Sequence, residues 1–139
     1  MTDLENARHI LKAGNYTCVL CKDTHVLTSL ERGVKPLVAW LEANVAQDGY
    51  SAADKVVGKG AAFLYVKLGV RAVFAGVIST AALLLLQRHG IPVEYDREVD
   101  YIVNRKGDGR CPFELAVADI DEVELAYLAI RAKMREMHL

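Results

Sequence analysis

The chain has no excess of positive charge. Its 17 basic and 18 acidic residues leave a formal charge of −1. Surfaces that track nucleic-acid phosphates are normally basic, so no nucleic-acid partner is expected, although a small local anion site stays compatible. Aromatic residues are scarce, at 7% against 53% hydrophobic overall, so the core should be aliphatic, built from Ala, Val and Leu. Cysteine is sparse too. Three thiols in a chain of 139 residues are an odd number in a length that needs no staples. Reduced cysteines and a cytoplasmic location are the expectation. No uninterrupted apolar run is long enough to span a membrane, which takes about 20 residues. The longest, Ala72 to Leu86, is broken by Gly76, Ser79 and Thr80. The opening Met1–Thr2–Asp3–Leu4–Glu5 is acidic and has no apolar signal-peptide segment. Repeats, low-complexity tracts and linkers are also missing, so residues 1–139 are expected to form a single domain.

What is present reads as alternating helices and strands. Leu4, Ala7, Ile10 and Leu11 give a helix with Asp3 as cap and Gly14 as stop. Tyr16 to Cys21 and Val26 to Leu30 form a hairpin across Lys22–Asp23–Thr24–His25. Pro36 opens a second helix with Leu37, Val38, Leu41 and Val45 on its apolar stripe. Gln47–Asp48–Gly49–Tyr50 is a loop, and Ser51 or Asp54 then caps a helix running to about Leu68. Arg71 to Ile78 is apolar on both faces, as a central parallel strand should be. Ser79 or Thr80 caps the helix Ala81 to Arg88. Pro92 to Tyr95 is a short strand and Val99 to Val103 another. A polar loop from Asn104 to Arg110, a short helix after Pro112, and an amphipathic helix from Ile120 to Met137 complete the chain. This order implies an α/β sandwich with a mixed sheet.

Two clusters carry the chemistry, Asp54 to Ala62 and Cys111–Pro112–Phe113–Glu114, and they are expected to meet. Gly58–Lys59–Gly60 invites a phosphate-loop reading. That pattern needs a glycine at 53 and Ser or Thr at 60, where Ala53 and Gly60 stand instead. Two glycines in three helical residues cost about 1 kcal/mol each against alanine, so they need a reason. Close packing and direct approach of a ligand both supply one. On a helix, Lys55 and Lys59 lie one turn apart on a shared face. There they either bind an anion or pair with Asp54 in solvent. Cys111 precedes a helix start that can lower a thiol pKa, yet no histidine is indicated as its base; a structural loop cysteine is the other reading. Cys18 and Cys21 sit at i and i+3 of a strand, on opposite faces, so they are expected to be buried apolar cysteines without metal or disulfide.

The pieces Ala53 to Ala62, Ala75 to Ser79, Gly90 to Tyr95, Ile102 to Arg105 and Cys111 to Glu114 resemble a small prokaryotic family, domain of unknown function 1893. The resemblance implies a cytidine-deaminase-like fold, a three-layer α/β/α sandwich, and no established activity. Active zinc deaminases open one helix with a His or Cys ligand before a catalytic Glu, and a second with Pro–Cys–x–x–Cys. Here no His or Cys occurs from Val26 to Arg88, and the second helix opens Ser79–Thr80–Ala81–Ala82. A tetrahedral zinc site needs about three such ligands. The expectation is therefore a zinc-free protein with no metal and no cofactor.

The first expectation is a binding module for a nucleotide-like or other anionic small molecule, contacted by Lys55, Gly58, Lys59, Ser79, Asn104 and Arg105. The second is an enzyme with Cys111 as nucleophile and Asp54 or Glu114 in acid–base work. A third is a structural or interaction protein, such as a homodimer, meeting its partner through the last helix or the hairpin edge.

Overall fold

The computed structural model describes residues 1–44 and 49–139. The expected stripe position Val45 and the start of the expected loop at Gln47–Asp48 lie outside the described residues.

Helix α1, Asp3–Ala13, is held at its start by a capping box. Thr2, rather than Asp3, is the cap, and it exchanges bonds with Glu5. Strands β1, Cys18–Lys22, and β2, His25–Ser29, form the expected hairpin, with Lys22 opposite His25 across a two-residue turn. Asp23 takes the left-handed conformation there, at φ 54°. Helix α2, Lys35–Ala43, follows, with Pro36 in its first turn.

The main departure comes next. Residues Ser51–Val57 are strand β3, and helix α3 starts only at Lys59 and runs to Leu68. The expected helix from Ser51 or Asp54 therefore does not exist in its first half. Ala52, Ala53 and Lys55 have good helix propensity, but propensity is a weak prior beside tertiary pairing. This segment is taken up by the sheet on both sides, antiparallel to β1 and parallel to the next strand. The small Ala52 and Ala53 let helices come close on either face. Lys55 and Lys59 consequently do not share a helix face, and Asp54 caps nothing.

Strand β4, Ala72–Ser79, and helix α4, Thr80–Arg88, match expectation. Strand β5 runs Val93–Val99, longer than the expected Pro92–Tyr95, because it pairs along the whole of β4. The expected strand from Val99 to Val103 does not form; Val103 makes one isolated bridge, to Arg110. Helices α5, Pro112–Ala116, and α6, Val123–Glu136, end the chain.

The sheet order is β2-β1-β3-β4-β5; β3, β4 and β5 are parallel, β1 is antiparallel to β3, and the edge strand β2, antiparallel to β1, runs in the direction of the parallel strands. Among the described residues it is a mixed five-stranded sheet with six helices, of the α/β class. Helix α1 packs on one face through Ala7, Leu11, Val19, Cys21, Ala53 and Phe74. The larger core lies on the other face, where α3 and α4 pack side by side and α2, α5 and α6 touch α3. Cys18 belongs to the larger core and Cys21 to the smaller, so the two thiols lie on opposite faces as their spacing predicts. Among the described residues no helix is long and apolar enough to cross a membrane.

Gly76 marks a close approach inside this sheet. A Cβ there would lie 2.7 Å from the backbone oxygen of Lys55 on β3. Backbone cannot give way as a side-chain tip can. Gly76→Ala is therefore expected to lower unfolding free energy by about 1–3 kcal/mol, measured by urea denaturation. A variant as stable as wild type would show that the strands part freely here.

Candidate functional site

The site is built where β3 and β4 end and α3 and α4 begin. Gly58 is extended, at φ −94° and ψ 179°, and serves as the N-cap of α3 without a side chain to satisfy the helix donors. The first N–H groups of any helix have no partner within it, and they carry partial positive charge. Another part of the chain supplies the acceptor. Glu114, at the start of α5, is only 9% exposed. Its Oε2 accepts the Lys59 N–H at 2.9 Å and also the Ser79 hydroxyl. Its Oε1 accepts the Ile102 N–H at 2.7 Å. Ser79 has a second task, because its Oγ accepts the Ala82 N–H at 3.2 Å and caps α4. One carboxylate thus joins the starts of α3 and α4 to the segment after β5.

The glycines make this approach possible. A Cβ on Gly58 would sit 3.1 Å from Ile102 Cγ1 and 3.2 Å from Glu114 Oε2. One on Gly60 would sit 3.2 Å from the Phe113 carbonyl oxygen. The glycine pair admits the chain's own segment around residues 102 and 113–114. The expected meeting of the two clusters therefore occurs, through Glu114 and Phe113. Lys59 turns its ammonium to the Ala118 carbonyl, 2.9 Å away, and so ties α3 to the segment after α5.

Asp54 lies elsewhere. It is buried in β3 opposite Cys18 of β1. Tyr65 of α3 donates to Asp54 Oδ2 at 2.6 Å, and the Val56 N–H donates to Oδ1 at 3.2 Å. The Cys18 thiol is 3.0 Å from the Tyr65 hydroxyl. Since that hydroxyl gives its proton to Asp54, the thiol donates to it. Burial raises the Asp54 pKa to about 7, against the opposing pull of these hydrogen bonds. Burial first, and then the charge of Asp54, push Tyr65 and Cys18 well above their ordinary values.

The remaining sequence-predicted residues are spread out. Lys55 faces a groove of ≈ 270 Å³ on the α1 side, with Lys12, Phe74, Gly76 and Asp96. Asn104 closes a polar turn by exchanging bonds with Asp108, at 2.8 and 3.2 Å. Arg105 is exposed in that turn, and Arg110 stacks over Tyr101 at 4.4 Å. Cys111 is half-buried at the start of α5, where its N–H bonds the Ile102 carbonyl. Among the described residues its thiol has no hydrogen-bonded base. The structure thus gathers Gly58, Lys59, Ser79 and Glu114, sets Cys111 three residues before the carboxylate, and leaves Asp54, Lys55, Asn104 and Arg105 apart.

Sequence reasoning missed Tyr65 and Ile102. A buried tyrosine usually finds a partner for its hydroxyl, and Asp54 was the nearest buried acid, which is a usable signal. Ile102 acts through its backbone and leaves no trace in residue type.

The donors gathered here are the Lys59 N–H and the Ser79 hydroxyl at two helix starts and the Ile102 N–H beside them, and Glu114 accepts from all three. Such a donor set does not suit a zinc ion, which needs imidazole, thiolate or carboxylate ligands. Among the described residues no three His, Cys, Asp or Glu side chains converge on one point.

The family TM1506, described as a domain of unknown function, DUF1893, matches residues 6–134. The chain is similar to a solved structure, a DUF1893 family protein (TM1506) from Thermotoga maritima, with 27% identity and a TM-score of 0.84. That likeness covers 98% of this chain and 91% of the other. No curated protein matches.

Two outcomes are expected from these carboxylates. Glu114→Ala leaves the Lys59 and Ile102 N–H groups and the Ser79 hydroxyl without their acceptor, at a cost of roughly 3 kcal/mol or more. Glu114→Gln keeps the shape but sets an amide donor against a donor, and should fall between. Chemical denaturation measures both, and a Glu114→Ala protein within about 0.5 kcal/mol of wild type would remove Glu114 from its central place. For Asp54, the unfolded chain ionises near pH 4 while the folded protein holds its proton to about 7. The folded state binds more protons between those values, so stability falls as pH rises from about 4 to 7. The loss is at most roughly 4 kcal/mol. Asp54→Asn should flatten that slope, and equal slopes for variant and wild type would contradict the assignment.

Proposed function

We propose a function from the site itself, because the chain belongs to the DUF1893 family, whose description carries no activity. The proposed function is binding of a nucleotide-like or other small anionic molecule. In this reading the chain is a single cytoplasmic domain of cytidine-deaminase-like architecture that works without zinc or another cofactor. What supports the architecture is the way α3 and α4 both start at the ends of adjacent parallel strands. Those starts are where a deaminase of this layout carries the two parts of its zinc site. Here they carry Gly58, Lys59 and Ser79.

The observation behind the binding reading is Glu114 itself. Donors from three separate segments already hold a carboxylate, so the position suits negative charge. A ligand phosphate or carboxylate would take the Glu114 position as α5 withdraws, and Lys59 would leave the Ala118 carbonyl to pair with it. Binding sites in open α/β sheets commonly lie at the carboxyl ends of the strands. The enzyme reading, with Cys111 as nucleophile and Asp54 or Glu114 in acid–base work, has no observation in its favour. Asp54 is engaged with Tyr65, and Glu114 with Lys59, Ser79 and Ile102.

Thermal unfolding with inorganic phosphate, acetate or cytidine monophosphate tests the proposal. At least one of them should raise the midpoint in a saturable way, since ligand at a hundred times its Kd adds about 2.7 kcal/mol. Lys59→Met should abolish the shift. No shift with any of the three, or an undiminished shift in Lys59→Met, would overturn the reading. Elemental analysis bears on its metal-free part, which stoichiometric zinc in the purified protein would exclude.

A further inference from the structure

The two edges of the sheet differ in chemistry. Strand β5 carries Glu94, Asp96, Arg97 and Glu98, and Lys12 of α1 holds Asp96 at 3.1 Å. Charges of this kind keep a free edge from pairing with another strand. Strand β2, at the other edge, reads His25–Val26–Leu27–Thr28–Ser29, with no Lys, Arg, Asp, Glu or Pro. No strand lies beyond it among the described residues.

Hydrogen bonds fix which backbone groups of β2 point outward. The Ser29 carbonyl turns inward to the Thr17 N–H, at 2.9 Å, and the Glu31 carbonyl turns inward to the Thr17 hydroxyl. Backbone groups alternate in direction along a strand, so those of Val26, Thr28 and Leu30 face away from the sheet. Their side chains share one face as well. Val26 lies opposite Cys21 and Thr28 opposite Val19, which places them on the side of α1. Helix α1 packs on β1 and β3 there, and Val26 and Leu30 stay 41% and 66% exposed.

We propose that β2 pairs antiparallel with β2 of a second copy about a two-fold axis at Thr28, so that one sheet runs through a homodimer. A two-fold axis sets one edge against itself, and this edge is self-complementary in that register. The outward groups of Thr28 bond those of its counterpart, and the outward groups of Val26 bond those of Leu30. The same pairing lays the two exposed apolar side chains, Val26 and Leu30, against each other on both sides of the axis. On the opposite face His25 meets Glu31, a base across from an acid. Glu31 also pairs with Lys35 at 3.5 Å, but both side chains are about half exposed and such pairs are weak. A register centred on Leu27 instead would set Asp23 against Glu31, and like charges across a strand pair destabilise it.

Cysteine cross-linking of the full chain tests the register, in a Cys111→Ser background that leaves only the buried Cys18 and Cys21. The Thr28→Cys variant should form a disulfide-linked dimer on mild oxidation, since residues paired at the axis have Cα atoms about 5.5 Å apart. The Val26→Cys variant should not, because its two copies stand roughly 14 Å apart along the strands. Adding Leu30→Cys to Val26→Cys should bring cross-linking back. Sedimentation equilibrium should show wild type approaching twice the 15.3 kDa chain mass as concentration rises. Thr28→Lys sets two cations against each other at the axis and should raise the dimer Kd roughly tenfold or more, with unchanged far-UV circular dichroism. Val26→Lys serves as a second edge variant should the first fail to fold. A wild type that is monomeric at every concentration, or a dimer indifferent to both lysine variants, would overturn the proposal. Cross-linking of Val26→Cys alone as fast as Thr28→Cys would overturn the axis at Thr28.

Discussion

The arrangement of the parallel half of the molecule depends on one buried carboxylate. Helices α3 and α4 start side by side, and each presents unpaired N–H groups and the positive end of its dipole at the same place. Two such ends in contact would repel each other and leave donors unsatisfied. Glu114 removes both problems by accepting from Lys59 and Ser79 at once, while its other oxygen fixes the Ile102 backbone. Gly58 and Gly60 are the clearance this requires. The buried carboxylate and the two glycines that make room for it are therefore two sides of one constraint.

A second buried carboxylate ties the parallel half to the hairpin. Asp54 links β3 to α3 through Tyr65, and Tyr65 links on to Cys18 of β1. Burial makes the ionised form of this acid expensive, which is why its pKa rises to about 7. The two acids show how environment sorts like groups. Glu114 has helix N–H donors and lies at the sheet's end, whereas Asp54 sits inside the sheet with a tyrosine and a thiol for neighbours.

Much of the fold was legible in residue patterns. The hairpin, strand β4, helix α4 and the opposed placement of Cys18 and Cys21 follow from alternation and spacing. Strand β3 was not legible. Val57, Ala61, Leu64 and Leu68 keep helical spacing across the boundary at Gly58, and the alanines before it favour helix. Only pairing with two neighbouring strands decides the matter. That error carried into the site, moving Asp54 under α3 and Lys55 into the groove beside α1. The meeting of the two polar clusters agrees with the expectation, and of the two reasons offered for Gly58 and Gly60 the close packing is the one the structure displays. The identity of the donors was not foreseen, since Ile102 and Lys59 act through backbone.

The Lys59–Glu114 bond also sets an order of events. The acceptor lies 55 residues after its donor. In a chain leaving the ribosome the residues of β3, α3, β4 and α4 are all synthesised before Glu114, so at that stage the Lys59 N–H and the Ser79 hydroxyl have no Glu114 to bind. Closing so long a loop adds little entropy cost over a shorter one, but it ties the pairing to the arrival of the last quarter of the chain. Without that segment the Lys59 N–H and the Ser79 hydroxyl lack the acceptor that the folded chain gives them.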